Sequence, residues 1–117
     1  IRLEVTWDGD VADMGRCKYV MKAYQEYNIL DNVNKQASSL IKGLSSMESI
    51  FNLRNCGLII GFDLPDTKKR DILVKQLYKN GLICNKTGVK SIRLRPNLNL
   101  NDEETDRALE ILKGTIK

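Results

Sequence analysis

The sequence predicts an α+β domain in which a small antiparallel three-stranded sheet is covered by helices. Two observations carry this prediction. Apolar residues recur every three or four positions near both ends of the chain, which is typical of helices, whereas a period of two begins near Leu53. Glycine, proline and aspartate mark the changes between these patterns. The predicted order is helix, helix, strand, helix, strand, strand, helix, and 117 residues suffice for one core.

The first part of the chain predicts two helices. Residues 6–10, "TWDGD", favour a turn, and Asp10 is the expected N-cap of the first helix. We expect its apolar stripe to be buried in the core: Cys17, Val20, Met21 and Tyr24. After a break at residues 28–31, the second helix is expected to bury a stripe of similar spacing: Val33, Ala37, Leu40, Ile41, Leu44 and Met47.

The middle of the chain predicts a strand and a helix. The alternating residues from Leu53 to Leu64 are interpreted as one strand, which Pro65 ends. Asp66 is placed to cap a helix that runs to about residue 80, where Gly81 stops it.

The last third predicts a hairpin and a terminal helix. Residues 82–85 and 91–95 are predicted strands joined by the turn "KTGV", and Asn101 with Glu104 predicts a capping box. The final helix is expected to bury Thr105, Ala108, Leu109, Leu112 and Ile116. In "SIRLRP", alternation places Ile92 and Leu94 on one face of the strand, and Arg93 and Arg95 on the other.

Composition excludes several classes of function. Nineteen Lys and Arg against fifteen Asp and Glu give a net charge of +4, but the positive residues are scattered and aromatic residues are few, which argues against nucleic-acid binding. The longest apolar run is too short to cross a bilayer, so we expect no membrane association. The three cysteines are interpreted as reduced core residues of a cytoplasmic protein. No histidine occurs, and we assign no catalytic residue and no metal site to this chain.

Two residues suggest ligand contacts, each with a simpler alternative. The Arg93 guanidinium, held still by packing of Ile92 and Leu94, suits bidentate recognition of a carboxylate, although strand arginines are often just solvated or paired with a surface carboxylate. The Thr6 hydroxyl precedes a glycine-containing turn and a helix start, where it suits a phosphate contact or a local hydrogen bond.

Three stretches of the chain carry a family resemblance: "RLEVTWDGDVADMGRCKYVM", "LRNCGLIIGFDLPD" and "GVKSIRLRPNLNLNDEETDRALEIL". They resemble the C-terminal small domain of class III pyridoxal-phosphate aminotransferases, which belong to the fold-type I enzymes. Within that class, the Thr-Trp turn, "FDLPD" and "SIRLRP" most resemble lysine 6-aminotransferases and 4-aminobutyrate aminotransferases. The resemblance implies transfer of an amino group from an ω-amino donor, with L-lysine preferred here, to 2-oxoglutarate, giving glutamate.

The resemblance also implies roles for individual residues. Thr6 aligns with the family's threonine that binds the phosphate group of the cofactor, pyridoxal 5'-phosphate, held by the neighbouring subunit of a homodimer. Arg93 stands where the family binds the α-carboxylate of glutamate or 2-oxoglutarate, and Arg95 is expected to support it. The family's Schiff-base lysine lies upstream, and no lysine of this chain sits in its motif.

We therefore expect residues 1–117 to be a C-terminal small domain, with residues 1–10 leading in from a large domain that this chain lacks. The chain begins at Ile1 without a methionine, which agrees with a piece of a longer protein. Alone, it should bind no cofactor and catalyse nothing. The alternative is a ferredoxin-like, ACT-like regulatory module that binds an amino acid, in which Arg93 could hold a carboxylate but Thr6 would have no cofactor.

Overall fold

The computed structural model describes residues 9–116 of the chain. Within that range the predicted α+β class is confirmed. The helices are α1 (Val11–Glu26), α2 (Ile29–Ser45), α3 (Thr67–Lys79) and α4 (Asp102–Thr115). The strands are β1 (Phe51–Cys56), β2 (Ile59–Asp63), β3 (Asn85–Thr87) and β4 (Ser91–Leu94).

The sheet has four strands, not the three predicted, in the order β1-β2-β4-β3 with every pair antiparallel. The single strand predicted from Leu53 to Leu64 is a hairpin that turns at Gly57 and Leu58. Gly57 has φ of +54°, a conformation that glycine adopts without strain and that reverses the chain here. The alternating pattern predicts one continuous strand, whereas Gly57 forms the turn between two strands.

The third strand is also shorter and later than predicted. Residues 82–84 are not part of it, because the Leu82 N–H donates to the Leu77 carbonyl at 2.8 Å and so completes the C-terminus of α3. The strand begins at Asn85, opposite Arg93 of β4.

Side-chain caps begin three helices as predicted. The Asp10 carboxylate accepts from the Ala12 and Asp13 N–H groups, and that of Asp66 accepts from Lys69 N–H at 2.7 Å. Asn101 forms the complete capping box with Glu104. Each cap satisfies N–H groups that the first helical turn leaves without partners.

The core lies on one face of the sheet and is formed with the three later helices. Ile60, Phe62 and Ile92 are completely buried, and Leu94 is nearly so. They belong to one cluster with leucines of the helices, namely Leu40, Leu44, Leu73, Leu77 and Leu112. The opposite face carries polar and charged residues, and Arg93 belongs to it.

The first helix departs from the prediction. The chain divides into two compact units, residues 1–30 and 31–117, and α1 lies in the first. No residue of α1 is buried, so the expectation that Cys17, Val20, Met21 and Tyr24 form core is wrong for this chain. Among residues 9–30, α1 is the one complete element. The period of a helical pattern indicates which face is apolar, but it does not indicate which part of the protein covers that face.

The cysteines are free thiols, and of the three only Cys84 packs against the core, as predicted. Cys17 and Cys56 are exposed, which contradicts the prediction, and Cys84 is half-buried. Burial raises the pKa of the Cys84 thiol, because the thiolate is less stable away from water.

Candidate substrate-carboxylate site

Arg93 lies on an interior strand of the sheet. It is opposite Gly61 on β2 and opposite Asn85 on β3. Its neighbours Ile92 and Leu94 are buried in the core, at 0% and 7% exposure, while Arg93 itself is half-buried. The predicted alternation is therefore confirmed, and the backbone on both sides of Arg93 is fixed by packing and by two strand ladders.

A polar cavity of about 510 Å³ opens beside Arg93. Its polar lining residues are both arginines of "SIRLRP" together with Asn85, Asn97, Asn99 and Glu104. Within residues 9–116, the Nε of Arg93 is buried and has no hydrogen-bond partner. Buried donors are nearly always satisfied in folded proteins, so the Arg93 guanidinium retains donor capacity that a water or a ligand acceptor can meet.

Arg95 follows the end of β4 and is exposed. It lines the Arg93 cavity and also a second cavity that reaches Cys56 and Gly57. In the described part of the chain it makes no ion pair or side-chain hydrogen bond. The two arginines thus differ: one is fixed in the sheet, and the other lies at its rim.

A cluster of polar side chains lies on the same face of the sheet as Arg93. The first Asp63 carboxylate oxygen accepts from the Ser91 hydroxyl at 2.6 Å and from Arg54 at 3.1 Å. The second accepts from the Asn52 amide at 3.2 Å. These interactions, with the Ser91 hydrogen bond first, lower the pKa of Asp63 to about 2. Sequence reasoning missed this cluster, since it is assembled from three strands.

A second polar group fixes the loop that lines the cavity. The Asn32 amide of α2 donates to the carbonyls of Leu98 and Leu100, at 3.0 and 2.9 Å. One turn later, buried Gln36 donates to Asp102 at 2.6 Å and accepts from Thr105 at 2.7 Å. Both residues are polar positions within an apolar helical pattern. That pattern was the sequence feature from which a buried polar contact of α2 could have been predicted.

The remaining predicted site residue, Thr6, lies outside the described residues. Within residues 9–116, no group of three Cys, Asp or Glu side chains is placed to hold a metal ion. In the same range, every helix is too short or too polar to span a bilayer.

Comparison with known proteins identifies the family. The profile of aminotransferase class-III matches residues 3–116. The chain is 31% identical over 121 aligned positions to the L-lysine-epsilon aminotransferase of Amycolatopsis lactamdurans, a match that covers 98% of this chain and 27% of that protein. It is 32% identical to the 4-aminobutyrate aminotransferase of Kluyveromyces lactis, covering 95% of this chain and 25% of the relative.

Solved structures of aminotransferases share the fold of this chain. Lysine aminotransferase from M. tuberculosis, in the internal aldimine form, superposes with a TM-score of 0.87 at 25% identity, over 97% of this chain and 27% of that one. A transaminase from the marine bacterium Virgibacillus shares the fold, with a TM-score of 0.85 at 19% identity over 99% of this chain and 30% of that one.

The chain belongs to the class III aminotransferases, a family that uses pyridoxal phosphate. It spans about a quarter of the length of the relatives that it matches. Membership in this family replaces the alternative of an ACT-like regulatory module.

Proposed function

We propose that this chain is the C-terminal small domain of a class III aminotransferase, and that Arg93 binds the α-carboxylate of glutamate and 2-oxoglutarate. The observation that carries the proposal is the buried Arg93 Nε without a hydrogen-bond partner, beside a polar cavity. A carboxylate would supply the missing acceptor and the opposite charge together.

Arginine suits this role better than lysine would. Its planar guanidinium can present two parallel N–H donors to the two oxygens of a carboxylate. The strand pairs on both sides of Arg93 fix where the side chain begins, which lowers the entropy lost on binding. Three asparagines line the same cavity, and asparagine side chains can donate hydrogen bonds to an anionic substrate: Asn85, Asn97 and Asn99.

The reaction requires groups outside this chain. Pyridoxal phosphate bound by the complete enzyme would supply the carbonyl chemistry needed to move an amino group from the donor to the oxo acid. We propose that residues 1–10 lead in from a large domain that carries the Schiff-base lysine. Thr6 would then contact the cofactor phosphate across the interface of a cytoplasmic homodimer.

For the amino donor we propose the ε-amine of L-lysine. The support is similarity along nearly the whole chain to L-lysine-epsilon aminotransferases, at 31% identity in Amycolatopsis lactamdurans and 29% in Streptomyces clavuligerus. The second candidate is 4-aminobutyrate, supported by the 32% identity to the Kluyveromyces lactis relative.

The Arg93 role is tested in the full-length subunit with Arg93→Lys and Arg93→Met. We expect the methionine variant to raise the KM for 2-oxoglutarate and glutamate by a factor corresponding to about 2 to 5 kcal/mol, the usual loss for a desolvated charge pair. Lysine should recover part of this binding. Arg107→Met is the control, since Arg107 is an exposed residue of α4 that does not line the cavity. Unchanged KM values for both ligands in Arg93→Met would refute the proposal.

The division of labour between domains has a separate test. The 117-residue chain, purified alone and mixed with pyridoxal phosphate, should show neither cofactor absorbance nor transamination. A screen of L-lysine, 4-aminobutyrate and ornithine with the full-length enzyme and 2-oxoglutarate identifies the donor. Turnover by the isolated chain would overturn the assignment of the reactive lysine to another domain.

A further inference from the structure

Two arginines lie in one lateral row of the sheet. Arg54 of β1 is opposite Gly61 of β2, and Gly61 is opposite Arg93 of β4. Directly opposed residues project to the same face, so both arginines lie on the face away from the core. They are separated by a residue without a side chain, which leaves the space above Gly61 free for a guanidinium.

Arg54 occupies that space. Its Cζ and Nε atoms each lie 3.5 Å from the position that a Cβ of Gly61 would take, an ordinary contact distance. From there, one terminal nitrogen donates to the Asn52 carbonyl at 2.7 Å and to Asp63 at 3.1 Å. The other terminal nitrogen donates to the Ser91 hydroxyl at 3.4 Å. Arg54 is thus directed along the sheet toward Asp63.

Asp63 is a potential partner of Arg93 as well. It lies two residues beyond Gly61 on β2, on the same face, and is therefore diagonal to Arg93. Diagonal neighbours on adjacent antiparallel strands have Cα atoms about 7 to 8 Å apart, which is within the reach of an arginine. An aspartate so placed would compete with any carboxylate that approaches the Arg93 guanidinium.

The structure shows how this competition is avoided. Both oxygens of Asp63 are occupied, by Ser91 and Arg54 on one side and Asn52 on the other. The side chain of Asp63 is only 14% exposed, so its charge needs a cation nearby, and Arg54 is that cation. In the described part of the chain, Arg93 forms no ion pair.

The bulge in β1 contributes to this arrangement. The β1–β2 register shifts between Phe51 and Arg54, and Asn52 has φ of +50°. A bulge bends and twists the strand locally. Here the side-chain amide of Asn52 donates to Asp63, and the backbone carbonyl of Asn52 accepts from Arg54. The strained residue therefore binds both members of the Arg54–Asp63 pair.

We propose that Arg54 is a positioning residue: by pairing with Asp63 it keeps this carboxylate away from Arg93, and so keeps Arg93 available to the carboxylate of the substrate. This inference rests on the proposed role of Arg93. Removing Arg54 leaves Asp63 as an anion without its cation, and Arg93 is the cation on the adjacent strand toward which it can turn.

The test measures the KM for 2-oxoglutarate and the kcat of the full-length enzyme in Arg54→Met, Asp63→Asn and the double variant. Arg54→Met should raise the KM at least about tenfold, as expected when Arg93 is available about one-tenth of the time. Its kcat at saturating 2-oxoglutarate should stay near the wild-type value. Asp63→Asn alone should leave the KM unchanged, and adding it to Arg54→Met should restore the KM to within about twofold of wild type.

A purely structural role gives a different result. It predicts a lower unfolding temperature for Arg54→Met with an unchanged KM, or a raised KM that Asp63→Asn does not restore, and either result overturns the proposal. Arg54→Gln, which keeps a hydrogen-bond donor but no charge, carries the same test if the methionine variant does not fold. Arg93→Met measured in parallel separates the two proposals. A raised KM in Arg93→Met with a normal KM in Arg54→Met rejects only the role of Arg54, whereas a normal KM in Arg93→Met rejects the carboxylate site itself.

Discussion

Thr105 of α4 donates a hydrogen bond of 2.7 Å to the side-chain carbonyl of Gln36 of α2, and both side chains are buried. The amide nitrogen of the same Gln36 donates to Asp102 at the start of α4. Gln36 therefore joins α2 to the first turn of α4 through both ends of its amide. A buried amide satisfied in this way specifies how the two helices pack, because another arrangement would leave its polar atoms without partners.

Replacing Thr105 by valine should destabilise the chain by about 1 to 3 kcal/mol, since the change leaves the Gln36 carbonyl buried without its donor. Urea denaturation of the 117-residue chain measures this loss. Thr105→Ser is the matched control, because it retains the hydroxyl and should cost less than valine does. A valine variant as stable as the wild type would show that the hydrogen bond contributes nothing to stability.

Asn32 should determine the order of the loop that lines the Arg93 cavity. Asn32→Leu removes both hydrogen bonds to the Leu98 and Leu100 carbonyls, each worth about 0.5 to 1.5 kcal/mol. We expect amide hydrogen exchange in residues 97–100 to accelerate by about tenfold or more. The control is Asn34→Leu, an exposed position on the same helix. Equal exchange rates in the two variants would contradict the assigned role of Asn32.

The Leu109 side chain of α4 packs over Gly43 of α2. A Cβ added there would overlap both methyl groups of Leu109. These methyl groups end a flexible, half-buried side chain that can shift, so Gly43→Ala should cost no more than about 1 kcal/mol, despite the better helix propensity of alanine. Gly114→Ala, where a Cβ meets no atom within 4 Å, should be neutral or stabilising by up to about 1 kcal/mol.

A double-mutant cycle checks this cause. The cost of Gly43→Ala should shrink in a Leu109→Ala background, because the overlapping methyl groups are gone. The same cost in both backgrounds would mean that overlap with the Leu109 side chain is not its cause.

Asp63 should make stability depend on pH in the acid range. Its folded-state pKa is lowered from 3.8 to about 2, chiefly by the Ser91 hydrogen bond, so the folded state favours the ionised carboxylate. The resulting stabilisation is present above about pH 4 and is lost as the pH falls through about 2. The difference in unfolding free energy between wild type and Asp63→Asn should shrink by about 2 kcal/mol between pH 7 and pH 2.

The carboxyl titration can be observed directly by NMR. Ser91→Ala should return the pKa of Asp63 toward its ordinary value, because the hydroxyl donor is removed. An Asp63 that titrates normally in the wild-type chain would exclude this polar cluster as an electrostatic feature.

Local chemistry was predictable from the sequence. Asp10, Asp66 and Asn101 cap helices because each side chain bonds to N–H groups two or three residues away, within one stretch of sequence. The alternation of Ile92 and Arg93 likewise follows from the pleat of a strand. These predictions needed no knowledge of distant residues.

Features that depend on distant residues were not predictable in the same way. The apolar stripe of α1 indicates a face for burial, but a period of 3.6 does not say what covers it. The cluster at Asp63 includes hydrogen bonds between residues far apart in sequence, such as Arg54 and Ser91, 37 positions apart, and it exists only once the strand register is set. The hairpin at Gly57 was missed because glycine suits both a weak strand and a tight turn.

The position of Arg93 between two ladders restricts how this part of the gene can change. A shift of β4 by a single residue against β2 and β3 would place the guanidinium in the core and Ile92 in the cavity. Viable insertions or deletions inside residues 91–94 must therefore come in pairs, whereas the turn at residues 88–90 can vary in length more freely. We expect natural length variation in this region to be confined to that turn.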